Sequence, residues 1–214
     1  GSPNSCSASN IGEADIQILD SVTYQTISRI KTEICNIHFL SWSADGSRIA
    51  GGNNDQSYVW DTVSGRLLFQ DKSYYAISVE LSPDGTRILM SDVSGGFAIT
   101  SVKTGENLFF GYGTVTRWTP DGQKILSVRS YGPESYTPND EGSHDEIFLW
   151  DANTGEQLKR INSPCLILGK AAWNSDGKQF AVDSASCANY DQHSIQIWDA
   201  NTYEIVQLFP IDSD

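Results

Sequence analysis

The sequence predicts an all-β chain made of repeated four-stranded antiparallel units, and two recurring marks predict it. The first is a Trp-Asp pair that ends an apolar run: Trp60-Asp61 in SYVWDTVSGRL, Trp150-Asp151 in IFLWDANTGEQL and Trp198-Asp199 in IQIWDANTYEIV. The second is an Asp-Gly pair in WSADGSRIA, LSPDGTRIL, WTPDGQKIL and WNSDGKQFA. These pairs stand at 45–46, 84–85, 121–122 and 176–177, so the aspartates are 39, 37 and 55 residues apart.

Each unit follows one grammar. An apolar run leads to the Asp-Gly pair, a hairpin turn in which Gly takes a positive φ and the Asp side chain bonds the turn backbone. A run of small or branched residues follows, then a loop, then a third run that ends on Trp-Asp. A Ser-Gly or Thr-Gly pair (Ser64-Gly65, Thr154-Gly155) turns the chain into a fourth run. Units of this kind are expected over about 35–70, 76–110, 114–161 and 168–209. The second is degenerate, with Thr100-Ser101 in place of Trp-Asp, but it keeps Thr104-Gly105. Near the start, IQILDSVTYQTI has Leu19-Asp20 in the same frame and supplies only the last two strands of a unit. Three Trp residues stand three positions before the Asp of an Asp-Gly pair: Trp42, Trp118 and Trp173. Residues 1–5, GSPNS, resemble a cloning scar; 6–14 read as an N-terminal linker and 15–210 as the repeat segment.

This pattern resembles the WD40 repeat of β-propellers, over almost the whole chain. The resemblance implies blades of strands a to d, with c ending on Trp-Asp and d at the outer edge. Trp42, Trp60, Trp118, Trp150, Trp173 and Trp198 would then be structural residues of the repeat. Trp60 would pack between neighbouring blades. Asp61, Asp151 and Asp199 would accept hydrogen bonds near the c–d turn. No Gly-His dipeptide occurs, so the His-centred network of many WD40 blades is missing. The expected fold is four complete blades plus a half blade, an incomplete propeller or one completed by another chain or segment. The family commonly closes with about seven blades.

With 14 Lys and Arg against 27 Asp and Glu, the net charge of −13 argues against a nucleic-acid or anionic-membrane surface and permits a basic partner. No apolar run approaches the length of a membrane-spanning helix, about 18 residues. Cys6, Cys35, Cys165 and Cys187 form no C-x-x-C pair, so no structural zinc site is expected. Cys165 and Cys187 are expected on one propeller face, as two free thiols in preference to a disulfide. The cysteine usage leans towards an intracellular setting, cytoplasmic or nuclear.

No catalytic motif is present: neither G-x-S-x-G, nor H-E-x-x-H, nor a phosphate-binding Walker loop. GYGTVT (111–116) reads as a d–a connection that needs Gly, not as a nucleotide loop. His38 is expected to be a core residue of a strand, and His144, beside Asp145 and Glu146, lacks the convergent ligands a metal would need. No cofactor, metal or catalytic residue is expected.

One stretch departs from the repeat. The long 121-to-176 spacing comes from an insertion between strands b and c of the third complete unit, residues 129–146. It holds Tyr131 and Tyr136 among Glu134, Asp140, Glu141, Asp145 and Glu146; the last unit carries a milder version with Tyr190 and Asp191. Tyrosines give contact area at low entropy cost and carboxylates select basic groups. The alternative is a solvated, tolerated surface insertion. The resemblance places b–c and d–a loops on one partner-binding face. It implies a non-catalytic scaffold for a protein or peptide, or a sensing module of a larger enzyme whose catalytic part lies outside this chain.

Overall fold

Two short turns recur in every complete blade, and their side chains explain why. In the a–b turn, Asp45 Oδ1 accepts Ser43 Oγ–H (2.7 Å) and the Ser47 N–H (3.0 Å). Asp84 does the same with Ser82 (2.6 Å) and Thr86 (3.0 Å), and Asp121 with Thr119 (2.6 Å) and Gln123 (3.0 Å). The next residue is Gly46, Gly85, Gly122 or Gly177, with φ between +68° and +71°. In the c–d turn, Asp61 Oδ1 accepts the Ser64 N–H at 2.7 Å, Asp151 those of Asn153 and Thr154 at 2.8 Å, and Asp199 those of Asn201 (2.8 Å) and Thr202 (2.9 Å). In the degenerate unit Ser101 Oγ takes over the Asp position and accepts the Thr104 N–H at 3.3 Å. Each turn therefore satisfies its own backbone.

The computed structural model describes residues 15–32, 34, 36–72, 76–130, 145–187 and 193–211. All their regular elements are strands. β1 (Asp15–Leu19) and β2 (Thr26–Lys31) form a two-stranded sheet. Blade I is β3 (Phe39–Trp42), β4 (Arg48–Asn53), β5 (Gln56–Asp61) and β6 (Leu67–Asp71). Blade II is β7 (Ala76–Leu81), β8 (Arg87–Asp92), β9 (Gly96–Ser101) and β10 (Asn107–Tyr112). Blade III is β11 (Val115–Trp118), β12 (Lys124–Arg129), β13 (Glu146–Asp151) and β14 (Gln157–Asn162). Blade IV is β15 (Cys165–Trp173), β16 (Gln179–Cys187), β17 (Ser194–Asp199) and β18 (Ile205–Pro210). In each complete blade the strands lie in sequence order, which only consecutive hairpins allow. Four complete blades and a c–d pair match the expectation for the described residues. Among these residues no helix is long and apolar enough to cross a membrane.

A register shift falls at the same place in four c–d pairs, immediately before Leu19, Trp60, Trp150 and Trp198. One extra residue in the ladder bends the strand there and fixes which face the Trp occupies.

The chain divides into two compact units, Gly1–Asp92 with Ile99–Leu108, and Val93–Ala98 with Phe109–Asp214. In the first, Ile16 and Ile30 of the half blade pack with Ile49, Tyr58 and Trp60 of blade I. The Trp60 ring stacks on Tyr58, centroids 5.4 Å apart. A second cluster joins Ala50, Val59 and Phe69 of blade I to Val79, Leu81, Ile88 and Met90 of blade II. In the second unit, Leu126, Val128, Ile147 and Leu149 of blade III pack with Phe180, Val182 and Trp198 of blade IV. Trp60 and Trp198 thus pack between blades, as the repeat implies.

Three expectations are corrected. Trp42 is 47% exposed, whereas Trp118 is buried and Trp173 half-buried. The half blade covers β4 and β5 through Ile49, Tyr58 and Trp60, but Leu40 and Trp42 of β3 stay open to solvent. His38 is no core residue: it precedes β3, is exposed, and its N–H donates to the Gly52 carbonyl at 2.7 Å. Cys165 is buried and disulfide-bonded, and Cys187 faces it in the β15–β16 register. A bonded cysteine removes the thiol-based argument for a reducing compartment.

Candidate functional site

The b–c and d–a connections carry the partner-facing expectation. Tyr131, Glu134, Tyr136, Asp140, Glu141, Tyr190, Asp191 and His144 lie outside the described residues. The feet of the insertion are described. Arg129 and Glu146 are the closing pair of the β12–β13 ladder. Asp145 and Glu146 do not belong to a solvated loop, since both are buried. Asp145 Oδ2 accepts the Ile167 N–H at 2.5 Å, and its carbonyl accepts the Ser163 N–H at 2.7 Å. Glu146 pairs with Arg160, whose side chain is 60% exposed. These two carboxylates tie the start of β13 to β14 and β15. Their physical role is to anchor the insertion, because a buried carboxylate is tolerated only when it is paired and hydrogen-bonded.

Beside this anchor lies a cleft of about 570 Å³ in the second unit. Its wall comprises Val93, Ser94 and Gly95 of the blade II b–c turn, Tyr112 at the end of β10, Thr114 of the d–a connection, and Arg129 and Ser130 at the start of the insertion. The d–a connection has the glycine requirement expected of GYGTVT. Gly113 has φ +123°, and a Cβ there would stand 2.7 Å from Ser127; its N–H donates to the Gly95 carbonyl at 2.8 Å. At Gly111 a Cβ would collide with the Phe97 ring.

Between these glycines stands Tyr112, a site residue that the sequence reading passes over. It is 38% exposed. Its ring meets Phe148 and Trp150 edge-on at 4.6 and 4.8 Å. Its hydroxyl donates to Gln157, and the Arg129 guanidinium lies 6.0 Å from its centroid. Ser127 Oγ donates to the Tyr112 carbonyl (2.7 Å) and accepts the Trp150 indole N–H (2.9 Å). The cleft therefore presents a fixed aromatic edge and a cation next to the insertion. The signal in the sequence was the bracketing GYG, which frees backbone space around one large ring. Among the described residues no three His, Cys, Asp or Glu side chains converge as metal ligands would.

At the other end of the blades, the turn aspartates are held ionised. Asp45 has its pKa lowered to about 2, first by the Ser43 hydroxyl and then by the Ser47 N–H and hydroxyl. The Ser64 hydroxyl and N–H lower that of Asp61. Charge-assisted bonds of this kind favour the carboxylate form. These groups serve the turns.

No family model matches the chain. Among curated proteins it is similar to the human U3 small nucleolar RNA-associated protein 18 homolog, 23% identical, with 79% of this chain and 30% of that protein covered. Among solved structures it is similar to hydrazine synthase of Kuenenia stuttgartiensis, with a TM-score of 0.69 at 14% identity. That match covers 93% of this chain and 60% of the other. The fold is an all-β, propeller-like array of four-stranded antiparallel blades. The chain spans less than two thirds of the length of either of these proteins.

Proposed function

We propose that this chain is a non-catalytic protein-interaction scaffold, a WD40-like propeller segment that docks a protein or peptide partner at the b–c and d–a connections. The observation that carries the reading is the anchored insertion. Asp145 and Glu146 bind its exit to the blade frame, and its entry at Arg129 and Ser130 runs along the Tyr112 cleft. An insertion whose feet are fixed to the blade frame beside an aromatic is a candidate recognition segment. Tyr131 and Tyr136 supply contact area; Glu134, Asp140 and Glu141 favour a basic partner. Completion of the propeller by another chain or segment belongs to the same proposal.

The human relative is named for association with a nucleolar RNA, which supports a nuclear setting. The net charge of −13 disfavours direct RNA contact by this chain, so an RNA-associated role would run through a protein partner. A second reading, a regulatory module of a larger enzyme, draws support from the neighbour that is named a synthase.

The test replaces residues 131–144 by a short Gly-Ser hairpin. The melting temperature should stay within about 2 °C, because the blade ladders are untouched. Partner capture from the native source should be lost. For the intact chain, capture should weaken as salt rises, since exposed charges are screened beyond roughly 8 Å at physiological ionic strength. Undiminished capture by the shortened chain would overturn the assignment.

A further inference from the structure

A second cleft lies in the first unit, at the turn end of blades I and II, with a volume of about 540 Å³. Four cations line it, Arg48, Arg66, Arg87 and Lys103, and no carboxylate does. In a chain with 14 Lys and Arg against 27 Asp and Glu, a carboxylate-free wall holding four of those cations is not the average surface.

The internal repeat shows that two of these charges are departures from the blade pattern. At the position after the c–d turn, blades II, III and IV carry Glu106, Glu156 and Glu204; blade I carries Arg66. Lys103 occupies the position held by Val63, Asn153 and Asn201 in the other blades. Turn formation therefore needs neither cation. The corresponding cleft between the turns of blades III and IV, about 350 Å³, is lined by Lys124 together with Asp121 and Asp176. Charge has been sorted in the first cleft and mixed in the second.

One of the cations, Arg48, is also held in place. Arg48 Nη1 donates to the Gly85 carbonyl at 2.6 Å. A Cβ at Gly85 would stand 3.0 Å from Arg48 Cδ, so the glycine leaves room for the arginine stem. Asp61 attracts Arg66 and Asp84 attracts Arg87, while both carboxylates keep their Oδ1 atoms on their own turns. Ser101 Oγ accepts a turn N–H, which directs its own proton elsewhere. Leu68, Val102 and Leu108 add an aliphatic wall.

We propose that this cleft binds a phosphate monoester attached to a partly apolar carrier. Guanidinium and ammonium groups match the oxygens of a phosphate dianion. The aliphatic wall takes the carbon that bears the ester. The net charge of −13 repels extended polyanions and tolerates one compact anion in a basic cleft.

The test is titration calorimetry at low salt with two probes: phenyl phosphate, and a phosphoserine peptide alongside its unphosphorylated form. The variant is Arg66→Glu with Lys103→Asn, which installs residues that this chain already uses at the equivalent turns. Its melting temperature should equal that of the parent. The parent should bind phenyl phosphate, and binding should fall by about tenfold or more in the variant, as expected when charge-assisted contacts are removed. Tighter binding of the phosphorylated peptide than of phenyl phosphate would assign the site to a modified protein; the reverse order would assign it to a small ester. No heat from either probe with the parent, or equal affinity in the variant, would overturn the proposal. Excision of residues 131–144 should leave this binding unchanged, so the outcome is separate from that of the docking proposal.

Discussion

Replacing Trp150 by Ala tests the blade packing most directly. The indole is 5% exposed and contacts three rings: Phe97 at 5.6 Å, Tyr112 at 4.8 Å and Phe148 at 6.0 Å. An aromatic side chain of this size buries roughly 200 Å², which at about 25 cal/mol per Å² comes to an upper figure of about 5 kcal/mol. Aromatic-to-Ala changes in cores cost about 3–5 kcal/mol, and the two scales agree. The Nε1–H bond to Ser127 also goes, but Ser127 keeps its bond to the Tyr112 carbonyl, so no donor is orphaned. At roughly 2–4 °C per kcal/mol for a chain of this size, the melting temperature should fall by about 10 °C. Trp42→Ala is the control. Trp42 holds the same place in the a–b turn motif as buried Trp118 but is 47% exposed, so its loss should cost under about 1 kcal/mol. Urea unfolding followed by circular dichroism reads both. Equal losses from Trp42→Ala and Trp150→Ala would refute the packing argument.

Two further changes probe the turns. Tyr24 and Tyr203 take φ +57° and +59° at the c–d position where Gly65, Gly105 and Gly155 stand in the other blades. Tyr24 is 77% exposed, so Tyr24→Gly relieves backbone strain without losing packing and should raise stability by about 1 kcal/mol; a lower midpoint in urea would count against it. The carboxyl of Asp45 titrates at about 2 in the folded chain, below the ordinary value of ~4, so its contribution is complete above that range and drains away as pH falls through 2. Asp45→Asn should flatten the acid side of the stability profile between about pH 4 and 2, and an unchanged slope would show that the Ser43 and Ser47 bonds contribute nothing.

The blade frame was legible because its signals are local. Asp45, Gly46 and Ser47 make a turn whose hydrogen bonds close within five residues, so the sequence alone displays the whole device. Trp60 and Trp198 were legible for the same reason, placed by the ladder that ends on them. What depended on distant partners was hidden. Trp42 and Trp118 share a motif, and only the neighbouring strands decide which is covered. Asp145 and Glu146 sit in a run of acidic and polar residues that reads as loop, yet Ile167 and Arg160 draw them into the blade. The four-cation cleft is assembled from the starts of β4 and β8, both d strands and both c–d turns, spread over residues 48–108. Its trace in the sequence was Arg66 standing where three other blades carry Glu, a charge reversal within the repeat.

The register shifts before Leu19, Trp60, Trp150 and Trp198 have a bearing on self-association. Strand d is the outermost of each blade, and a straight, regular outer strand is a template on which a foreign chain can lay down hydrogen bonds. A bulge at the start of the c–d ladder twists that strand away from the flat geometry which stacking into fibres requires. β18 adds Pro210 at its end, a residue with no N–H to offer. Deleting the extra residue of a d strand (Ile27, Leu68, Leu158 or Val206) to make the ladder regular would therefore do more than misplace a tryptophan. It would turn a bulged edge strand into a nucleation surface for cross-β growth.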